Sequence, residues 1–138
     1  MRHFATLLML SFAAVPSTGC GSSDDPTDLP TQPTPVAVTE TFSGRLTVNG
    51  LTAHPYTVDR AGTTSAQLKT LSDATATVAL SLGTWNGAAC QIIIANPAAV
   101  LNTTVTGTAQ STGQFCVLLQ DTGRLTTAVD YTIDVTHF

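Results

Sequence analysis

The chain is 138 residues long with a net charge of −4, which leaves room for one domain with a modest core once an N-terminal signal is set aside. From Val36 onward, six acidic residues (Glu40, Asp59, Asp73, Asp121, Asp130, Asp134) stand against four basic ones (Arg45, Arg60, Lys69, Arg124). That balance offers no basic surface to a phosphate backbone and excludes nucleic acid as a partner.

Arg2 and His3 form a small basic head, Phe4 to Val15 an apolar run, and Ser17-Thr18-Gly19 a small-residue cleavage site before Cys20. This is the three-part layout of a secretory signal, residues 1–19. The run is about a dozen residues, short of the roughly 20 that cross a bilayer as a helix, so it reads as a cleaved signal and not as a span. Ser17-Thr18-Gly19-Cys20 resembles the lipobox of bacterial lipoproteins, departing from it at Ser17, where Leu is commonest. The resemblance implies that the Cys20 thiol, a good nucleophile for alkylation, carries diacylglycerol and becomes the new N-terminus. One acyl chain holds only marginally, whereas two or three make a stable membrane anchor. In that family an acidic residue after the lipidated Cys can retain the protein at the inner membrane; Gly21 stands there, which favours the outer membrane.

Residues 20–37 hold Asp24, Asp25 and Asp28 with Pro26, Pro30, Pro33 and Pro35 and almost no apolar bulk, so they cannot fold by burial. The Pro-rich stretch from Gly21 to Pro35 extends at about 3.1 Å per residue, giving a tether of up to some 45 Å.

From about Val38 to the end at Phe138 the pattern changes to short runs of period two divided by Gly and Asn, the signature of half-buried strands. Phe42, Leu46 and Val48 form one apolar stripe, Ala76, Val78, Leu80 and Leu82 a second with Thr75, Thr77 and Ser81 on its solvent-facing side, and Tyr131, Ile133 and Val135 a third. Asn49-Gly50 and Asn86-Gly87 each sit between alternating runs and predict hairpins; Asp121-Thr122-Gly123 is a third turn. The runs predict seven or eight strands, at 40–48, 52–59, 63–71, 75–83, 89–94, 103–108, 114–120 and 129–137. The fold class is all-β, a small antiparallel sandwich or jelly roll. Cys90 to Ala95 and Phe115 to Leu119 are apolar on both faces, which predicts central strands. With Cys20 assigned to the anchor, Cys90 and Cys116 remain as one pair. In an oxidising envelope that pair reads as a disulfide joining those two strands, within one sheet or between sheets. Zinc is disfavoured, because His54 and His137 are the only further soft ligands and neither lies at ligand spacing from a Cys.

Thr41-Phe42-Ser43-Gly44-Arg45-Leu46, Tyr56-Thr57-Val58, Gly62 through Leu71, Asp73 before Ala76-Thr77-Val78, Gly113-Gln114-Phe115-Cys116-Val117 and Tyr131-Thr132-Ile133-Asp134-Val135 together resemble the bacterial pre-peptidase C-terminal domain. The resemblance spans nearly the whole mature domain and implies a small, non-catalytic β-sandwich. Some members of that family bind calcium or collagen through acidic and aromatic positions; this chain has few clustered acids.

A hydrolase needs a nucleophile, a base and an orienting acid. His54 beside Pro55 and the penultimate His137 read as surface histidines, and no Gly-x-Ser-x-Gly elbow occurs. The acids are spread over turns and strand faces, where they read as solvated charges that keep edges apart. Asp73 and Asp121 are the one candidate calcium pair, at an end of the sandwich. Trp85, in Gly83-Thr84-Trp85-Asn86-Gly87, either contacts a ligand, stacking on a sugar or anchoring a protein, or folds over the core. Asn102-Thr103-Thr104 matches a glycan acceptor by chance. The expectation is a lipid-anchored envelope protein whose sandwich binds a saccharide or protein and needs no cofactor. The alternative is a self-associating scaffold that pairs through strand edges. A small hydrolase comes third.

Overall fold

The structure, a computed structural model, describes residues 33–138. The expected signal, Cys20 and most of the expected tether lie outside the described residues. Thr34–Phe138 form a compact unit of eight strands: β1 (Val38–Leu46), β2 (Leu51–Val58), β3 (Gly62–Leu71), β4 (Val78–Trp85), β5 (Cys90–Ala99), β6 (Thr104–Ala109), β7 (Gly113–Gln120) and β8 (Val129–His137). They build two four-stranded sheets, ordered β1-β8-β3-β6 and β2-β7-β4-β5, and every pairing is antiparallel. The all-β sandwich that the alternation predicts is the observed fold.

The alternation is clearest in β8, where Val129, Tyr131, Ile133, Val135 and His137 are buried and the residues between them are not. Their inward faces meet Val78, Leu80 and Leu82 of β4 and Val117 and Leu119 of β7 in one core. In β3 the buried positions run Thr64, Ala66, Leu68 and then Leu71. Lys69 is the extra residue of a bulge, since Leu68 stands opposite Ile133 and Thr70 opposite Thr132. That insertion returns Leu71 to the core face. On the outer face of the first sheet β1 and β8 exchange side-chain contacts at each step: Thr39 with Thr136 at 2.9 Å, Thr41 donating to Asp134 at 2.7 Å, and Arg45 donating to Asp130 at 3.1 Å.

Four expectations are corrected. Asn49-Gly50 makes no hairpin, because β1 and β2 belong to different sheets. The Gly50 amide closes a turn on the Thr47 carbonyl at 2.9 Å, with Asn49 at φ 56°, and the chain crosses between sheets there. Asn86-Gly87 does join paired strands, β4 and β5. Val48 leaves the predicted stripe, since β1 ends at Leu46 and Val48 is exposed. The third correction concerns β5, read as central: it is an edge strand, while β7 is interior as expected. The last is Ser81, read as a solvent-facing residue, which is buried because β4 lies between two neighbours and is covered on both faces.

Candidate interaction surface on the edge of the second sheet

Cys90 and Cys116 are bonded, with their Cα atoms 5.7 Å apart. Both belong to the second sheet, but they are not on neighbouring strands: β4 runs between β5 and β7. Cys90 stands opposite Trp85, and Cys116 opposite Gly83. The bond therefore arches over β4 at Gly83. A Cβ on Gly83 would collide with the Gln91 carbonyl and lie 3.0 Å from the Ile92 Cα. Only glycine leaves room for the start of β5 to lean over β4. The register helps, because Gly83 pairs with Ile92 and Leu82 with Ile94, leaving Ile93 as an unpaired bulge residue.

That bulge breaks the alternation, so three consecutive isoleucines reach solvent: Ile92 is 51%, Ile93 71% and Ile94 40% exposed. A single exposed aliphatic residue is ordinary, but a contiguous group on a small domain marks a contact surface. Beneath it lies a hollow of about 30 Å³ between Ile93, Ile94, Leu82 and Gly107. Tyr56 and Thr64 border it, and their hydroxyls are hydrogen-bonded at 3.1 Å. Trp85, half-buried at the end of β4, shares the hairpin with these isoleucines. No charged residue occurs between Asp73 and Asp121, so β4, β5, β6 and β7 are uncharged from end to end. The domain's charges all lie on β1, β3, β8 and the loops that flank them.

The acidic candidates are separate from this surface. Asp121 is 3% exposed, and its carboxylate accepts the amides of Asn49 at 2.7 Å, Arg124 at 2.8 Å and Leu125 at 3.1 Å. Desolvation pushes its pKa up, but these amides and that of Gly123 outweigh it and hold the group below the usual carboxylate range. Asp73 accepts the Thr75 hydroxyl at 2.7 Å and its amide at 2.9 Å; the hydroxyl contributes most to lowering its pKa. Asp73 lines a cleft of about 180 Å³ with Thr75, Thr77, Arg124, Thr126 and Thr127, so a basic residue and not a second carboxylate shares that cleft with it. Among the described residues no three His, Cys, Asp or Glu side chains converge as metal ligands would.

Neither histidine in the domain is a surface residue of the kind the sequence indicated. His137 is 5% exposed; its Nε2 lies 2.9 Å from Glu40 Oε1, its ring packs on Tyr56, and its buried Nδ1 has no partner. His54 is within β2, stacked on Phe42 with ring centroids 5.1 Å apart. Its Nε2 lies 2.8 Å from the Tyr131 hydroxyl, and burial lowers its pKa. Asn102 occupies the turn before β6 with φ 68°.

No protein-family model matches this chain, and no curated protein sequence matches it. Several solved structures resemble the fold, two of them as follows. The Yersinia pseudotuberculosis-derived mitogen is 16% identical, with a TM-score of 0.57 over 75% of this chain and 88% of that one. The Aeromonas hydrophila periplasmic inhibitor of g-type lysozyme is 16% identical, with a TM-score of 0.51 over 72% of this chain and 86% of that one. At that identity the likeness is one of fold.

Proposed function

We propose that this chain is a non-catalytic lipoprotein of the cell envelope, anchored through Cys20 to the outer membrane, whose β-sandwich works by binding a protein. The observation that carries this reading is the uncharged β5 edge with Ile92, Ile93 and Ile94 exposed, braced by the disulfide to an interior strand. An aliphatic surface favours a protein ligand over a saccharide, which needs hydrogen-bonding groups around its aromatic platform. Trp85 on the same hairpin supplies an aromatic anchor. The resemblance to pre-peptidase C-terminal domains and the fold shared with a periplasmic lysozyme inhibitor support a module that binds without catalysing.

Two measurements test the proposal. Residues 34–138, disulfide formed, are immobilised and their saturable retention of envelope proteins, envelope polysaccharides and g-type lysozyme is compared with that of Ile93→Asp and Trp85→Ala. Both variants are expected to lose protein retention by about tenfold or more, the cost of one desolvated anchor, with unchanged thermal unfolding. Retention unchanged in Ile93→Asp overturns the reading, and saturable polysaccharide retention lost in Trp85→Ala replaces the protein ligand with a saccharide. For the anchor, the full chain is expected in the membrane fraction and Cys20→Ser outside it; equal partition of the two removes lipidation at Cys20.

A further inference from the structure

We propose that the protein taken by this surface is a second copy of the same chain, docked across a two-fold axis that runs through β5; this rests on the protein-binding reading above and names its partner. In a two-fold contact each patch meets itself, so any charge it carries confronts its own sign. β5 and its neighbours carry none, because the chain has no charged residue between Asp73 and Asp121. Elsewhere the domain has more acids than bases, so two copies repel through the remaining surface and are steered to this one.

The other edges argue the same way. The sandwich exposes four edge strands: β1, β6, β2 and β5. Glu40 and Arg45 guard β1, and Pro55 interrupts the middle of β2. β6 is short and presents threonines with Gly107. Only β5 offers several large aliphatic side chains together. Its register against β4 shifts at the Ile93 bulge and again beside Pro97; bulges kink the strand and Pro97 lacks an amide donor, so the open edge is a poor template for adding further strands in series. The contact is therefore packing of Ile92, Ile93 and Ile94 against their copies, closed at two.

The strand also sets the strength. Ten residues at about 3.3 Å each span roughly 33 Å. Even a strip along the whole strand, one or two side chains wide, covers at most roughly 500 Å² per copy, and the three isoleucines cover less, below the ~800 Å² of a stable interface. The pair is thus weak in solution and populated where the tether holds copies at high local concentration.

Sedimentation velocity on residues 34–138 from about 10 µM to about 1 mM, a range spanning weak affinities, is expected to show a monomer–dimer equilibrium. Ile93→Asp is expected to raise its midpoint at least tenfold. Amide chemical shifts of the unaltered domain are expected to move with concentration at residues 91–96 and around Trp85, and not on β1 or β2. A monomer throughout, a dimer indifferent to Ile93→Asp, or shifts centred elsewhere each overturn self-docking. If the domain is monomeric but Ile93→Asp still abolishes envelope-protein retention, self-docking fails and the protein-binding reading stands. A monomer with unchanged retention overturns both.

Discussion

Gly83 shows how a single missing side chain decides a covalent link. The Cys90–Cys116 bond spans β4 because nothing projects from Gly83, over which Gln91 passes. Gly83→Ala must displace backbone on both strands, and overpacking of this kind costs about 1 to 3 kcal/mol. Urea denaturation with and without reductant checks this: the loss is expected to be larger in the oxidised domain, where the bond holds β5 against the new methyl group. Asp121 acts at the same scale by a different means. One buried carboxylate ties the Asn49 turn to the loop after β7 by accepting amides from both. Residue identity made Asp121 legible as part of a turn, but its value as a tie between two crossovers depends on Asn49, far away in sequence.

Strands differ in how much of their placement they encode. β8 declares itself, since its period-two pattern is unbroken and its register with β1 continues through nine pairs. Its outer face is a polar ladder with β1, in which Thr41 donates to Asp134 at 2.7 Å. A double-mutant cycle on Thr41→Ala and Asp134→Ala is expected to give a coupling of about 0.5 kcal/mol, the scale of an exposed cross-strand pair; zero coupling would mean that water replaces the bond without loss. β5 misleads, because a continuous apolar run reads as a strand covered on both sides. The counter-signal is Pro97, which removes a ladder donor and so belongs on an edge, as Pro55 does in β2. Asn49-Gly50 misleads for a related reason. Its residues satisfy a positive φ, but a tight turn can return the chain to the same sheet or pass it to the opposite one.

At the scale of the molecule, the staple and the buried titratable groups set the limits of stability. Cys90 and Cys116 are 26 residues apart, and closing such a loop stabilises by about 3.5 kcal/mol in the chain-entropy model. Acid acts in two windows, the upper one through His54 and the lower one through Asp121, with the Asp73 pKa lowered in the same direction by its hydrogen bonds to Thr75. His54 has its pKa lowered by burial, so the unfolded chain takes up a proton first, and stability falls as pH drops below about 6.5, the ordinary imidazole value. Asp121 has its pKa lowered by the amides it accepts. Its contribution is complete above the ordinary carboxylate value of about 3.9 and is lost as pH falls through the lower, folded value. Thermal unfolding followed from pH 8 to pH 2 is expected to show two declines. His54→Gln is expected to remove the upper one and leave the lower; an upper decline that survives overturns the assignment to His54.

Local chemistry by itself determined that this domain is all-β, where most strands run and which segments turn, because alternation and turn residues are properties of neighbouring residues; the pairing of Cys90 with Cys116 followed only once Cys20 was set aside. The residues before and at Cys20 resemble a signal and lipobox, on which the proposed anchor rests. Only the tertiary structure decided that β5 is an edge, that Ser81 and His137 are buried, that the disulfide crosses an intervening strand, and that β1 and β2 lie in opposite sheets. Each of these depends on what stands beside a strand, and neighbours in a sandwich are supplied by segments distant in the chain: β1 beside β8, β2 beside β7. The isoleucines of β5 became a surface for the same reason, since no strand of the sheet lies on their outer side.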